Sequence, residues 1–306
     1  MQTPTTKTSE IVTLDLNFFG MPGTIAAYLI PHRRGAVLVE CGPASTLEGL
    51  TIRLTEAGYK IEEISDVLLT HIHLDHAGAC GWLARQGARI HVHPAGAPHL
   101  INPEKLLSSA ARIYGEQMEA LWGKFLAVPE DRLLVVQDEE MVEIEDLRFT
   151  ALATPGHADH HHVYLFEGTC FSGDIGGVRL GGTADLRLPT PPPEFHLAKW
   201  RDSLARLRRV RFSRIAPTHF GIYADPHWHL DELDQALDEI EGWMEKVMPN
   251  NPSPEELNRL FLAWIQERSL RQGVKPELLN TYEIAIPSWM SAQGISRFWH
   301  KHRQPA

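Results

Sequence analysis

The chain has 306 residues, of which 29 are Lys or Arg and 39 are Asp or Glu, so its formal net charge is −10. With 43 % hydrophobic and 22 % charged residues, it has the composition of a globular protein with one large α/β domain and an appendage, or about two domains. This composition excludes a disordered chain, a collagen-like repeat and a disulfide scaffold. The acidic balance argues against a nucleic-acid partner bound through bulk electrostatics.

Other features of the composition predict a cytoplasmic protein without a membrane partner. No run approaches the ~18 to 20 consecutive apolar residues that a membrane helix requires. Residues 1–10 are polar and lack the apolar core of a secretory signal. The three cysteines are scattered and odd in number, which fits reduced thiols.

The first half of the chain alternates short apolar runs with helical patterns, which indicates a layered α/β domain. Helices are predicted at 45–58 and 77–86. Strands are predicted at 11–16, 24–30, 36–40, 67–70 and 90–93.

A helical insert is predicted at about 95–125, with one helical pattern through 103–125. A helix at 197–208 and a last strand at 214–217 close a second strand-rich half. The other strands of that half are predicted at 132–136, 141–144, 147–151, 162–166 and 169–172. We expect the two strand-rich halves to pack as two sheets in a sandwich.

The chain becomes helical after residue 225, so it divides into residues 1–225 and a C-terminal helical region, 226–306. The helices of this region are predicted at 229–247, 254–272, 276–286 and 288–300. The proline-rich segment 189–193 is typical of a stiff loop, and we expect it to border a pocket.

The segment 70–78, THIHLDHAG, has the densest group of ligand-type side chains. It places His71, His73, Asp75 and His76 directly after an apolar strand, at the sheet edge where α/β proteins bind ligands. Imidazole nitrogens and carboxylate oxygens suit zinc, iron or manganese. Four such side chains after a buried strand would otherwise cost desolvation free energy. The segment therefore predicts a metal site.

Three single residues follow later strand-like runs. His157 lies in a Pro-Gly turn, Asp174 follows the strand near 169–172, and His219 ends the last strand. For each residue alone, an ordinary structural role explains its position at least as well as metal binding does. Together they share one position, a polar ligand at the end of a strand, which points to a common site.

The run THxHxDH, followed by these three residues, resembles the metallo-β-lactamase-fold superfamily of metallohydrolases over about residues 10 to 222. The resemblance implies an αββα sandwich with metals at one edge, extended here by the helical insert and the C-terminal appendage. It implies two groups of ligands joined by Asp174 as a bridge. The first group is His71, His73 and His157, and the second is Asp75, His76 and His219.

The implied cofactors are two divalent ions, for which zinc is the first expectation and iron or manganese are alternatives. Such ions lower the pKa of a shared water from 15.7 to about 7, which gives a hydroxide nucleophile without a serine or cysteine. They also polarise a carbonyl or phosphoryl oxygen. Asp75 is the candidate for carrying a proton to the leaving group.

Three further residues are candidates for supporting or substrate-binding roles. Glu40 stands where the superfamily commonly has an aspartate, and we expect it to orient a ligand histidine. His161 is equally a pocket residue or a structural one. Arg179 either clamps a substrate carboxylate or is a loop charge. His229 is expected on a solvated helix end.

The substrate class is the least determined feature. A small carbonyl ester, thioester or lactone is expected, as in the glyoxalase II and lactonase branches. The alternatives are a persulfide dioxygenase-like iron oxidoreductase and a phosphodiesterase of the same superfamily. The tryptophans of the insert and tail either pack internally, cap the site to select an apolar acyl group, or form a homodimer interface. They are Trp122, Trp243, Trp264, Trp289 and Trp299.

Overall fold

The computed structural model of the protein describes residues 10–303. Residues 1–9, which hold most of the segment tested for a secretory signal, and residues 304–306 lie outside the described residues. Among the helices between residues 10 and 303, none combines the length and apolar character needed to cross a membrane. All three cysteines are buried and unbonded to one another.

Two β-sheets form the centre of the described part of the chain. Their strands are β1 (Val12–Asp15), β2 (Ala26–His32), β3 (Gly35–Val39), β4 (Ile64–Leu68), β5 (Arg89–Val92), β6 (Leu133–Val135), β7 (Met141–Ile144), β8 (Leu147–Ala153), β9 (His162–Phe166), β10 (Thr169–Phe171) and β11 (Arg214–Ala216). The first sheet has the order β1-β2-β3-β4-β5-β6, and the second has the order β11-β10-β9-β8-β7. The pairs β3–β4, β4–β5, β5–β6 and β10–β11 are parallel, and all other neighbouring strands are antiparallel.

Helices cover the outer faces of both sheets. They are α1 (Leu47–Glu56), α2 (Leu74–Ala77), α3 (Cys80–Arg85), α4 (Ala97–Ile101), α5 (Glu104–Tyr114), α6 (Met118–Trp122), α7 (Leu197–Leu207), α8 (Pro226–Val247), α9 (Pro254–Arg271), α10 (Pro276–Ala285) and α11 (Ser288–His302).

Side-chain alternation along the strands explains the layers. In β2, Tyr28 packs between the two sheets, whereas Leu29 packs against the helices outside the first sheet. Helices α1 and α3 to α6 supply that outer layer, and α7, α8, α9 and α11 cover the second sheet. The described residues thus confirm the αββα sandwich with a C-terminal helical region.

The helical insert differs from its predicted form as one helix through 103–125. The predicted helix is divided into α5, which ends before Gly115 (φ 53°), and α6, which ends before Gly123 (φ 66°), and the short helix α4 precedes them. A side chain at Gly123 would also meet the backbone nitrogen of Ser45 at 2.5 Å. The predicted helix at 77–86 is likewise divided, into α2 and α3.

The C-terminal helices are attached to the sandwich through buried ion pairs. Arg268 of α9 lies 2.6 Å from Asp185, and Arg187 lies 3.2 Å from Glu283 of α10. Helix α11 approaches the proline-rich loop so closely that a side chain at Gly294 would meet the carbonyl oxygen of Thr190 at 1.8 Å. The tail is therefore packed as part of the same body as the sandwich.

Candidate metal centre

Three histidines converge at the ends of β4 and β8. His71 Nε2 lies 3.0 Å from His73 Nδ1, and His157 Nε2 lies 2.9 Å from the same atom of His73. The turn that presents His157 depends on Gly156, where a side chain would meet the backbone of Trp200 at 2.5 Å. We call these three histidines the three-histidine group.

A second group combines two carboxylates and two histidines beside the first. Asp174 Oδ1 lies 3.3 Å from His76 Nε2 and 3.5 Å from His219 Nε2. Asp75 Oδ2 lies 3.6 Å and 3.4 Å from the same two nitrogens. The mixed group is Asp75, His76, Asp174 and His219, and its ligand atoms all lie within 4.8 Å of one another.

Asp174 faces both groups. Its Oδ1 points to the mixed group, and its Oδ2 lies 3.4 Å from His157 Nε2 in the three-histidine group. The turn before it needs Gly173, because a side chain there would meet Thr70 Oγ1 at 2.4 Å and His161 Nε2 at 2.7 Å. The structure thus brings all seven residues of the predicted ligand set together, with Asp174 between the two groups.

The outer nitrogens of the histidines are held by hydrogen bonds to the protein. His157 Nδ1 donates to the carbonyl oxygen of Pro189 at 2.9 Å, and His219 Nδ1 donates to that of Thr24 at 2.7 Å. Such bonds fix the tautomer and orientation of a metal-binding histidine.

Among the described residues, several buried inner atoms of the mixed group make no hydrogen bond, although an oppositely charged group lies 3.3–3.6 Å away. They are His76 Nε2, Asp174 Oδ1 and His219 Nε2. Buried polar atoms without partners are costly. Their convergence fits a metal ion.

The Glu40 carboxylate contacts a histidine of the mixed group directly and one of the three-histidine group through Thr70. Its Oε1 lies 3.2 Å from His76 Nδ1 and also accepts a short hydrogen bond from the hydroxyl of Thr70. Thr70 Oγ1 in turn lies 3.1 Å from His71 Nδ1, so one carboxylate orients a histidine in each group. Glu40 is fully buried and has a positive φ of 66°, which places its side chain under the site at the end of β3.

The two groups have opposite proton affinities. Burial, followed by the neighbouring histidines, lowers the pKa of His71 well below its usual value and that of His73 to about 3. For His76 and His219, burial also acts to lower the pKa, but the nearby carboxylates outweigh it and raise both values. Burial would raise the pKa of Asp75, yet His76 and His219 lower it to about 2.

His161 lies behind the three-histidine group. Its Nε2 accepts a hydrogen bond from the backbone N–H of Ile175 at 3.4 Å, so its Nδ1 carries the proton that is donated to Thr154 at 2.9 Å. Its ring stacks on that of His71 with centroids 5.0 Å apart. It is fully buried, and it positions the turn of Asp174.

Arg179, predicted either to clamp a substrate carboxylate or to be a loop charge, clamps a carboxylate of the protein itself. Its guanidinium makes two parallel hydrogen bonds, of 2.8 and 2.9 Å, to the carboxylate of Asp225. It also donates to the carbonyl oxygen of Thr183 and stacks over the rings of Tyr223 and Trp228. Its hydrogen-bonding capacity is used within the protein.

The prediction that His229 lies on a solvated helix end is wrong. The side chain is fully buried on α8 and donates from Nε2 to the carbonyl oxygen of Gly176 at 2.7 Å, in the turn that carries Asp174. Sequence reasoning also missed His160 and Glu194, whose side chains lie 3.3 Å apart beside the site. The closeness of His160 to His157 was a usable signal, but nothing local marked Glu194.

A cavity of about 600 Å³ opens onto the site. His73, Asp75, His157 and Asp174 line it, and most of the other lining residues are apolar. Trp122 of the insert and Trp289 of the tail belong to this lining, so both segments enclose the site. Trp243 and Trp264 instead pack on Phe261.

Comparison with known proteins identifies the class. The sequence model of the metallo-beta-lactamase superfamily matches residues 20–219, which include every residue of both groups. The chain therefore belongs to the metallo-beta-lactamase superfamily, a superfamily of metal-dependent hydrolases.

Individual relatives are distant. A metallo-beta-lactamase fold-containing protein of Sulfurisphaera tokodaii is 23 % identical over 224 residues, which cover 72 % of this chain and 81 % of that protein. An atrochrysone carboxyl ACP thioesterase of Aspergillus fumigatus is 26 % identical over 220 residues, which cover 71 % of this chain but only 42 % of that protein. A ribonuclease Z of Methanopyrus kandleri is 27 % identical over 162 residues, which cover 49 % of this chain and 55 % of that protein.

One solved structure resembles the chain nearly along its full length. The metallo-beta-lactamase family protein of Thermus thermophilus has a TM-score of 0.66 and 20 % identity, covering 95 % of this chain and 93 % of that chain. This likeness concerns the fold.

Proposed function

We propose that the protein is a binuclear metal-dependent hydrolase that cleaves a small carbonyl ester, thioester or lactone. The observation that carries the proposal is that the two ligand groups lie at a cavity of about 600 Å³ with mostly apolar walls. A volume of this size is typical of sites for small organic molecules.

The three-histidine group would hold one ion and the mixed group a second, with the Asp174 carboxylate between them. Three histidines that leave a further coordination position open are a donor set of catalytic zinc, which is why we propose zinc. Divalent ions bound there supply Lewis-acid chemistry, since they acidify a bound water and polarise a carbonyl oxygen.

Asp75 is proposed to move a proton to the leaving group. Its Oδ2 faces His76 and His219, which leaves Oδ1 for exchange with the cavity that the residue lines. Its side chain is 20 % exposed, so the carboxylate can be reached from the cavity.

The substrate class is supported by two observations. Apolar walls formed by the insert and tail fit an organic acyl group better than a hydrophilic polymer. The relative named as a thioesterase hydrolyses a thioester by its name, and its match covers 71 % of this chain. The ribonuclease Z relative favours a phosphodiester as the second candidate, although the net charge of −10 here is unsuited to a polyanion.

A substrate screen on the purified protein, combined with metal analysis, tests the proposal. We expect about two equivalents of metal and cleavage of acyl esters, thioesters or lactones, with turnover lost in His71→Ala. The matched control is His227→Ala, an exposed histidine on α8. Turnover of phosphodiesters alone would contradict the substrate class, and one equivalent of iron with oxygen uptake would contradict hydrolysis.

A further inference from the structure

Four aromatic side chains from three separate parts of the chain form a continuous row in the cavity lining. Phe18 follows β1, Tyr114 and Trp122 belong to the insert, and Trp289 belongs to α11. We call this row the aromatic wall.

Each ring of the aromatic wall contacts the next. Phe18 stacks on Trp122 with centroids 5.8 Å apart, and Trp122 meets Tyr114 edge-to-face at 5.0 Å. Tyr114 meets Trp289 edge-to-face at 6.1 Å. These separations lie in the ~4.5–7 Å range in which aromatic pairs attract one another.

The two middle rings of the aromatic wall are held in place by the surrounding protein. The Tyr114 hydroxyl donates to the sulfur of Met290 at 3.0 Å, which ties the insert to the tail. Trp122 is only 8 % exposed, so its position is set by packing. Elsewhere the lining includes Pro191, Pro192 and Pro193, whose rings are rigid. The rest of the apolar lining includes aliphatic side chains such as Leu121, Ile284 and Met290, so the rigid aromatic surface of the cavity is the aromatic wall itself.

From this geometry we infer that the cavity selects a planar aryl group rather than a linear alkyl group, and that the aromatic wall determines this specificity. A ring placed against the wall gains an aromatic pair worth about 0.5–1.5 kcal/mol beyond its buried area, which is about two- to tenfold in affinity. The inference names the substrate class of the proposed function more closely. It rests on that function only where it assigns the aryl ring to the substrate.

Binding of two unreactive ketones matched in octanol–water partitioning, 4-phenyl-2-butanone and 2-heptanone, tests this specificity. Calorimetric titration is performed on the full chain as purified and after metal removal, so that the readout is affinity and not turnover. We expect the aryl ketone to bind about two- to tenfold more tightly. Trp122→Leu and Trp289→Leu should bring the affinity ratio towards one.

Trp264→Leu is the matched control, because Trp264 packs on Trp243 and Phe261 outside the cavity lining and should leave the ratio unchanged. Circular dichroism shows whether each variant is folded, and Trp289→Leu removes the less buried of the two cavity tryptophans. Equal affinities in the unsubstituted protein, no binding of either ketone, or an unchanged ratio in both folded cavity variants would overturn the inference. A ring preference without hydrolysis of any ester would overturn the proposed function alone, whereas hydrolysis without a ring preference would overturn this inference alone.

Discussion

The three-histidine group and the mixed group lie side by side, but they manage buried charge differently. In the first, burial and mutual repulsion keep His71 and His73 neutral, with their pKa values lowered. In the second, Asp75 and Asp174 raise the pKa values of His76 and His219, which favours the protonated forms of those histidines. Without metal, protons therefore balance the carboxylates where a cation would otherwise do so.

This difference shows which group is more ready for a metal ion. Neutral imidazoles bind a metal without first losing a proton, whereas protonated ones must release it. We therefore expect the three-histidine group to take up the first ion and the mixed group to bind the second with a steeper dependence on pH.

The largest expected effect comes from removing one ligand from each group. In His71→Ala we expect turnover to fall by about a thousandfold or more, because several kcal/mol of Lewis-acid stabilisation is lost. His219→Ala should retain close to one equivalent of metal, since it leaves the three-histidine group intact. Metal analysis by mass spectrometry and kcat/KM measure both effects. Equal metal loss in the two variants would show that the groups do not bind independently.

Glu40 provides a smaller perturbation that should affect both groups unequally. Glu40→Gln removes the carboxylate that contacts His76 directly and His71 only through Thr70. Loss of such an outer contact typically costs about 10–100-fold in metal affinity or activity. We expect the second metal equivalent to weaken most in a competition titration with a chelator. Glu40→Asp keeps the charge and is the matched control. A larger loss of affinity for the first metal equivalent than for the second would contradict the direct role of Glu40 at His76.

The ligand groups show what a single sequence reveals about a site. The strand ends that carry His71, His157 and His219 could be predicted because local apolar runs and the polar residue after each run are both visible in the sequence. The supporting role of Glu40 was expected from the resemblance to the superfamily, which commonly has an aspartate at this position. That these residues bind metal stays a prediction, although the structure brings them together.

The sequence is less informative where partners are chosen over long distances. Arg179 pairs with Asp225, 46 residues away, and no local pattern distinguishes that partner from a substrate carboxylate. His229 has the sequence environment of a helix end, but the packing of α8 buries it against Gly176. The insert and the tail meet around the cavity through tertiary packing, which no local pattern in the sequence predicts.

The metal-free protein should show the contrast between the groups in its stability. The lowered pKa values of His71 and His73 mean that the unfolded chain binds more protons below pH ~6.5, so the free energy of unfolding should fall as pH drops from ~6.5 towards ~4. The raised values of His76 and His219 stabilise the fold at lower pH, and this contribution is lost as pH rises through their folded-state pKa values. The free energy of unfolding is therefore expected to fall both towards acidic pH and towards alkaline pH.

Urea unfolding of the chelator-treated protein between about pH 4.5 and 9 measures both limbs. The metal-loaded protein is the control, because bound ions replace the protons of the mixed group and should remove the alkaline limb. A free energy of unfolding that does not change between about pH 4.5 and 6.5 would contradict the neutral state assigned to the three-histidine group.

The smallest expected effect comes from a substitution in the tail that should act on the three-histidine group only. Helix α11 approaches the proline-rich loop at Gly294, and that loop carries the Pro189 carbonyl oxygen that orients His157. Gly294→Ala places a methyl group against the Thr190 carbonyl oxygen and must displace the helix or the loop, at a cost of about 1–3 kcal/mol in the free energy of unfolding. Because the displaced loop contacts the three-histidine group, we expect the first metal equivalent to weaken more than the second. Gly242→Ala in α8 is the matched control, since a side chain there meets no atom within 4 Å and alanine favours a helix. If the two variants had equal stability and equal metal affinity, the tail would have no part in holding His157.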